Sequence, residues 1–273
     1  MERPQPIEFT RDGTTHILAL PPPGNQEIES KFAIGLIKAG SVMLNQVTGD
    51  MASACGLVNY RLMWELWKLG LQPQDLPASA NSLFARRGYL FGGFRSVPEP
   101  IQLPGWASGN IVVLVRDPRD MMVSFYYSFA FNKLPPQGAA SADQKGAFEQ
   151  ARKSAKATTI DDFALAKIKA IRHQFYMLDR KLQGLCARRY RYEDIIFDKA
   201  AWIADMADYL KLDLSAEVIA TIVARHDIIP ASENPANHIR KATPGDYKEK
   251  LKSETIKILT NEFSDIIEKY SYH

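Results

Sequence analysis

Short apolar runs of strand length alternate along this chain with longer stretches whose apolar residues recur every three or four positions. Phe32 to Ile37 is mostly apolar, with the length and texture of a buried parallel strand, and Ile111 to Val115 reads the same way. Gly88 to Phe94 and Leu185 to Tyr192 are further predicted strands. An apolar helix-like run opens at Ser41, and Leu62, Leu66 and Leu69 repeat among tryptophans between Asn59 and Leu71. Trp202, Ile203, Met206, Tyr209 and Leu210 share a helical stripe, and Leu259, Phe263, Ile266, Ile267 and Tyr270 mark a final amphipathic helix. These stripes are core packing. Strands alternating with helices predict an α/β fold, a single domain whose central parallel sheet is doubly wound and flanked by helices. Such sheets gather ligands at the carboxyl ends of their strands.

The polar intervals set the boundaries. Residues 1–30 are expected to form a loosely ordered arm, punctuated by Pro21-Pro22-Pro23-Gly24, with the domain over 31–273. The stretch 132–158 opens on Leu134-Pro135-Pro136-Gln137-Gly138 and holds one aromatic in its later half, Phe148, so it is expected to bury little. It reads equally as a lid over a ligand site and as a tolerated insertion.

Two basic segments stand where a predicted strand gives way to a helix. In Lys38-Ala39-Gly40-Ser41 the lysine supplies a point charge, the glycine a tight bend, and the helix start its unpaired N–H groups and dipole. In Arg116-Asp117-Pro118-Arg119-Asp120 the strand ends at Arg116, Asp117 is a good N-cap and Pro118 suits the first turn. A guanidinium at Arg116 can fork onto a phosphate, and Ser124, two turns into the helix, can offer its hydroxyl to the same anion. Each segment also has a plainer reading: a surface lysine beside a capping serine, and an Arg116 paired with Asp117 or Asp120. The two together describe a chain that holds two phosphate-like groups at once.

In these blocks the chain resembles the sulfotransferases that use 3'-phosphoadenosine 5'-phosphosulfate, PAPS, as donor. Lys38-Ala39-Gly40-Ser41 is similar to that family's 5'-phosphosulfate loop, and Val115-Arg116-Asp117-Pro118-Arg119-Asp120 with Val123-Ser124-Phe125-Tyr126-Tyr127 to its 3'-phosphate block. Tyr192-Glu193-Asp194 resembles the family's Tyr-Glu-Asp, where the tyrosine lies near adenine. Arg240-Lys241-Ala242-Thr243-Pro244-Gly245-Asp246-Tyr247 resembles the segment that closes over the 3'-phosphate. The resemblance implies a P-loop-NTPase-like sulfotransferase fold and transfer of a sulfuryl group to a hydroxyl, less readily an amine, of a metabolite, glycan or glycolipid. It assigns Lys38, Ala39, Gly40, Ser41, Val42 and Met43 to the phosphosulfate, Arg116, Ser124, Arg240 and Lys241 to the 3'-phosphate, and Tyr192 to the adenine. Lys38 doubles as a catalytic cation that stabilises the leaving phosphate. Protein cations and amides neutralise both ends, so no metal is invoked.

The chain also departs from the family. Val42 and Met43 stand where a hydroxyl residue and a tryptophan are usual, and Ala242 replaces a glycine. The histidine base of many members is absent from Gly92-Gly93-Phe94-Arg95-Ser96-Val97-Pro98-Glu99-Pro100, leaving Glu99 as the nearest carboxylate. Arg95, orienting the acceptor or stabilising charge, and His238, just before Arg240, complete the catalytic candidates. The rival readings are a P-loop kinase or NTPase, whose G-x-x-x-x-G-K-[ST] signature is missing, and a nucleotide- or glycan-binding module without catalysis.

Composition narrows the classes. A chain of 273 residues, 46% hydrophobic and 24% charged, can bury a sizeable core. A net charge of +3 and a pI near 8.7, without a run of basic residues, disfavour a nucleic-acid surface. Two cysteines give no disulfide framework, and neither a signal core nor a membrane span is visible, so a cytoplasmic protein is expected.

Overall fold

A parallel sheet needs strands buried on both faces, and the two most apolar segments occupy its centre. The chain opens with a hairpin, β1 (Ile7–Arg11) and β2 (Thr14–Leu18). Then come β3 (Lys31–Gly35), α1 (Ser41–Ala54), β4 (Val58–Arg61), α2 (Leu62–Lys68), β5 (Tyr89–Phe94) and β6 (Ile111–Val115). Next are α3 (Pro118–Tyr127), α4 (Ala142–Ala157), α5 (Ile160–Lys181), β7 (Ala187–Arg191), α6 (Tyr192–Ile195), α7 (Lys199–Tyr209) and α8 (Ala216–His226). The chain closes with α9 (Tyr247–Lys250), α10 (Ser253–Glu262) and α11 (Ser264–Tyr270). This computed structural model describes residues 4–132 and 142–228 and, apart from 229, 231, 236 and 238, continues to residue 272.

Strands β3 to β7 form one parallel sheet in the order β4-β5-β3-β6-β7. Chain order reverses about β3, the switch point at which such sheets open a crevice. Strand periodicity splits the core in two. Phe32 and Ile34 with Ile111, Val113 and Val115 face a layer that includes Phe175, Leu178, Leu259 and Phe263. Ala33 with Val112 and Leu114 faces Leu44 and Val47 of α1 and Trp202, Ile203 and Met206 of α7.

The expected α/β architecture is present, with local differences. Residues 7–18 are a hairpin rather than a loose arm: Asp12 and Gly13 both take positive φ, the two-residue turn that matches strand twist, and Ile7, Leu18 and Leu20 are buried in the core. Strand β4 occupies Val58–Arg61, within the stretch read as helical, so α2 begins only at Leu62. The final helical stripe is broken at Phe263 into α10 and α11. Part of the 132–158 interval is the helix α4, with Phe148 and Ala155 buried; its proline-containing start lies outside the described residues.

Candidate functional site

Because β3 and β6 are neighbours, the segments leaving their carboxyl ends start side by side. The Leu36 N–H donates to the Leu114 carbonyl at 3.1 Å, and the Ala39 N–H donates back to the Leu36 carbonyl at 3.0 Å, closing a turn. Strand β3 therefore stops at Gly35, two residues short of the apolar run; a β-carbon there would lie 2.8 Å from Ser41 Cα. Lys38 and Gly40 take φ of 65° and 90°, and this left-handed pair turns the chain into α1. Glycine suits position 40, where φ is left-handed and a β-carbon would lie 3.0 Å from the Tyr192 ring. No side chain caps α1 and no acidic residue stands in its first turn. Leu44 supplies the first bond to Gly40, at 3.0 Å, so the amides of Ser41, Val42 and Met43 precede the helical ladder. An anion cradled here would meet these N–H groups and the positive end of the helix dipole, with Lys38 in the turn just before them.

At the end of β6, Arg116 is buried and its Nη2 lies 3.3 Å from Asp120 Oδ2. Burial works against its charge, but Asp120, with smaller contributions from Tyr192 and Glu193, leaves its pKa above the ordinary arginine value. Its Nε is buried without a hydrogen-bond partner. The plainer reading, pairing with Asp120, thus holds in this state, yet the guanidinium retains a buried donor that an incoming oxyanion can satisfy. Asp117 caps α3 by accepting the Arg119 N–H at 2.9 Å and grips the Arg119 guanidinium at 2.7 Å. Arg119 in turn lies 4.3 Å from the Tyr247 ring centroid.

Tyr192 links the two sites. It leaves β7 beside Arg116, whose guanidinium lies 4.4 Å from the ring centroid, while the ring also packs against Gly40. At 7% exposure it is a wall between the cradle and the arginine rather than an open stacking platform.

The 240–247 segment is tied to α3 by Asp120, whose carboxylate accepts the Gly245 N–H at 2.7 Å and the Tyr247 N–H at 3.0 Å. This brings Arg240 over the Tyr127 ring, 4.2 Å from its centroid. Arg240 pairs with Glu233 and Asp246, and Lys241 Nζ with Asp246 at 2.9 Å and Glu249 at 2.7 Å. Burial would raise the Asp246 pKa, but Arg240 and Lys241 outweigh it and hold the carboxyl below its ordinary value. Ala242 takes φ of 56°, the left-handed geometry that the absent glycine would adopt without strain. Asp120, Ser124 and Tyr127 share one face of α3, with Arg116 on Asp120 and Arg240 on Tyr127, and Lys241 joins Arg240 at Asp246.

The base candidates fare differently. The Glu99 carboxylate pairs with Arg180 at 2.8 Å, and its carbonyl accepts from Lys181 at 2.6 Å. Gln174 touches the Lys38 loop by accepting the Ile37 N–H at 3.1 Å, and Arg180 lies ~9 Å further down α5, towards the amino edge of the sheet. In this state the Glu99 carboxylate is thus engaged by α5. Arg95 follows β5 directly at the carboxyl edge; His238 lies outside the described residues. Among the described residues no group of histidines, cysteines and carboxylates is arranged to hold a metal, and no helix is long and apolar enough to cross a membrane.

Several residues of the site escaped sequence reading. Asp120 was legible only as a possible partner of Arg116, not as the anchor of a segment 125 residues away. Tyr127 lies in the quoted block, but nothing in it signals a stack with Arg240. Glu193 accepts the Asp117 N–H at 2.9 Å through one oxygen and buries the other without a partner; burial, opposed by that bond, pushes its pKa up to about 7. Two surface recesses, one between α7 and α8 and one between α5 and α11, contain none of the predicted donor-site residues.

Residues 107–270 match the family model described as the sulfotransferase domain. The fold is similar to that of mouse sulfotransferase SULT7A1 complexed with PAP, at 12% identity and a TM-score of 0.57, over 95% of this chain and 94% of that one. It is also similar to retinol dehydratase in a complex with retinol and PAP, at 15% identity and a TM-score of 0.52, over 87% and 81% of the two chains. No curated protein matches the chain at a significant level.

Proposed function

Since the chain belongs to the sulfotransferase domain family, whose model spans well over half of it, we propose that it transfers the sulfuryl group of PAPS to a hydroxyl of a metabolite, glycan or lipid acceptor. The observation that carries the donor assignment is the Tyr192 ring, with the Gly40 turn of an uncapped helix on it and Arg116 4.4 Å from its centre. Two anion sites so close, at the ends of adjacent strands, suit one nucleotide phosphorylated at both ends of its ribose.

In this reading Arg116, Ser124, Arg240 and Lys241 grip the 3'-phosphate, and the orphaned Arg116 Nε gains a partner. The Lys38 charge and the amides of Gly40 to Met43 meet the 5'-phosphate oxygens. When sulfur transfers to the acceptor oxygen, the bond to the leaving phosphate breaks, the hydroxyl proton is released to solvent, and negative charge grows on that phosphate. Cations and amides already aimed there stabilise the growing charge without reorganising, and one such donor is worth about 10²- to 10³-fold in rate. SULT7A1 and retinol dehydratase, both crystallised with PAP, support the choice of nucleotide.

Calorimetry of PAP against AMP tests this. PAP is expected to bind at least about 100-fold more tightly, the worth of two charge-assisted contacts at ~1.5 kcal/mol each. Arg116→Ala is expected to abolish most of that preference while weakening AMP little. Equal affinities in the parent protein would overturn the assignment.

A further inference from the structure

The donor site occupies the carboxyl ends of β6 and β3, so the next strands in the sheet, β5 and β4, form the continuing floor of the crevice. Their ends are unusual in charge. Arg61 closes β4, in register with Gly92, and Arg95 follows β5 directly. Every arginine of the donor site has a carboxylate partner: Arg116 has Asp120, Arg119 has Asp117, and Arg240 has Glu233 and Asp246. Among the described residues, Arg61 and Arg95 pair with none; Glu65, the acid next along α2, is held by Lys68 at 2.5 Å.

The surroundings are those of a binding surface rather than a solvated face. Arg61 lies over the Trp64 ring, 5.5 Å from its centroid, and Trp64 stacks on Trp67 with centroids 4.6 Å apart and planes at 21°. Trp64 is 45% exposed, a large apolar area left open to water beside a charge. Arg95 combines exposure with enough surrounding protein that desolvation lowers its pKa, as at the mouth of a cleft. Between the arginines, Gly92 and Gly93 leave two positions of β5 just before Phe94 without side chains. A β-carbon at Gly93 would lie 3.1 Å from that of Arg61, so the glycine lets the arginine stem cross the strand end. The Gly93 N–H is bound by Asn45 of α1 at 2.9 Å. Asn45 follows Ser41 by one helical turn, which fixes this floor against the cradle helix.

We propose that this surface selects an anionic acceptor: a molecule with a flat ring or sugar face for Trp64 and Trp67, and a carboxylate or comparable anion for Arg61 and Arg95, beside the hydroxyl that receives the sulfuryl group. The proposal rests on the donor assignment above. Two forked guanidiniums without competing carboxylates prefer a planar, bidentate oxyanion to a neutral group of the same shape. The aromatic pair contributes area without charge selectivity.

Binding to the protein saturated with PAP tests the proposal without requiring turnover. The probes are 3-(4-hydroxyphenyl)propionate and its methyl ester, which differ by the charge and one methyl group remote from the hydroxyl, with tryptophan fluorescence or calorimetry as the readout. The carboxylate is expected to bind about tenfold or more tightly than the ester, the worth of one charge-assisted contact. The difference should shrink as salt rises from about 50 to about 500 mM, because salt screens the charge pair. Arg61→Gln and Arg95→Gln should each erode the preference, and together remove it, with ester binding and PAP affinity unchanged within about threefold. Equal binding of the two probes, no binding of either, or an intact preference in the double variant would overturn the proposal while PAP still binds more tightly than AMP. If PAP itself showed no preference over AMP, the donor reading would fail, and this inference with it.

Discussion

Gly40 and Glu193 show how much of the site rests on single backbone and titration states. Gly40 combines a φ of 90° with a ring 3.0 Å from where its β-carbon would be. Gly40→Ala therefore meets both left-handed strain of ~1–2 kcal/mol and a clash with Tyr192. The expected result is a loss of turnover of about 10²-fold or more, as the cradle amides are displaced, with a lower melting temperature; assay and thermal melt check both. Glu193 makes a pH prediction. An unfolded glutamate releases its proton near 4.5, whereas the folded one holds it to about 7. Between those values the native state binds the extra proton, so stability falls as pH rises through that window and remains lower above it. Glu193→Gln keeps an oxygen for the Asp117 N–H and removes the buried charge. The variant should match the parent near pH 4 and exceed it at pH 8 by up to on the order of 3 kcal/mol, read from urea unfolding at both pH values. A pH-independent difference would show that Glu193 does not titrate in this way.

At the scale of elements, α3 is the part that turns separate motifs into one site. Its N-terminal turn carries Asp120, which holds Arg116 on one side and the Gly245 and Tyr247 amides on the other. Asp120→Asn leaves one acceptor oxygen and weakens both grips. PAP affinity is expected to fall about tenfold, and hydrogen exchange at the Gly245 and Tyr247 amides to accelerate by a similar factor. Unchanged exchange would mean the segment is held by Arg240 and Lys241 alone. This division also explains what the sequence revealed. The strand-to-helix junctions were readable because a buried parallel strand has a local signature and each anion motif is contiguous. The Asp12-Gly13 turn was equally local, but it lay in a segment read as an arm and its flanking strands are mostly exposed. Strand β4 escaped because an edge strand of Val58-Asn59-Tyr60-Arg61 merges into the periodicity of the helix behind it. Glu99 is a candidate because it follows β5 closely, and its pairing with Arg180 of α5 has no local signal in the sequence.

Taken whole, the molecule carries two electrostatic regimes along one sheet edge. On the β6 side, cations are clasped by Asp120, Asp246, Glu233 and Glu249, so a phosphate must share or displace carboxylate partners. On the β4 and β5 side, Arg61 and Arg95 have no such competition among the described residues. A ligand joining the Lys38 turn, α3 and the 240–247 segment would tie two ends of the sheet to a segment that no strand contains. That predicts stabilisation of the whole domain rather than of one loop. At a PAP concentration about 100 times its Kd, linkage supplies ~2.7 kcal/mol, and for a chain of this length that corresponds to a rise in Tm of about 5 °C. The urea midpoint should move by the matching amount with the m-value unchanged, since the unfolded state gains no surface from the ligand. AMP at the same concentration should give little of either shift. A PAP-induced rise confined to local exchange protection, with global Tm and urea midpoint unmoved, would show that the nucleotide engages one motif and does not bridge them.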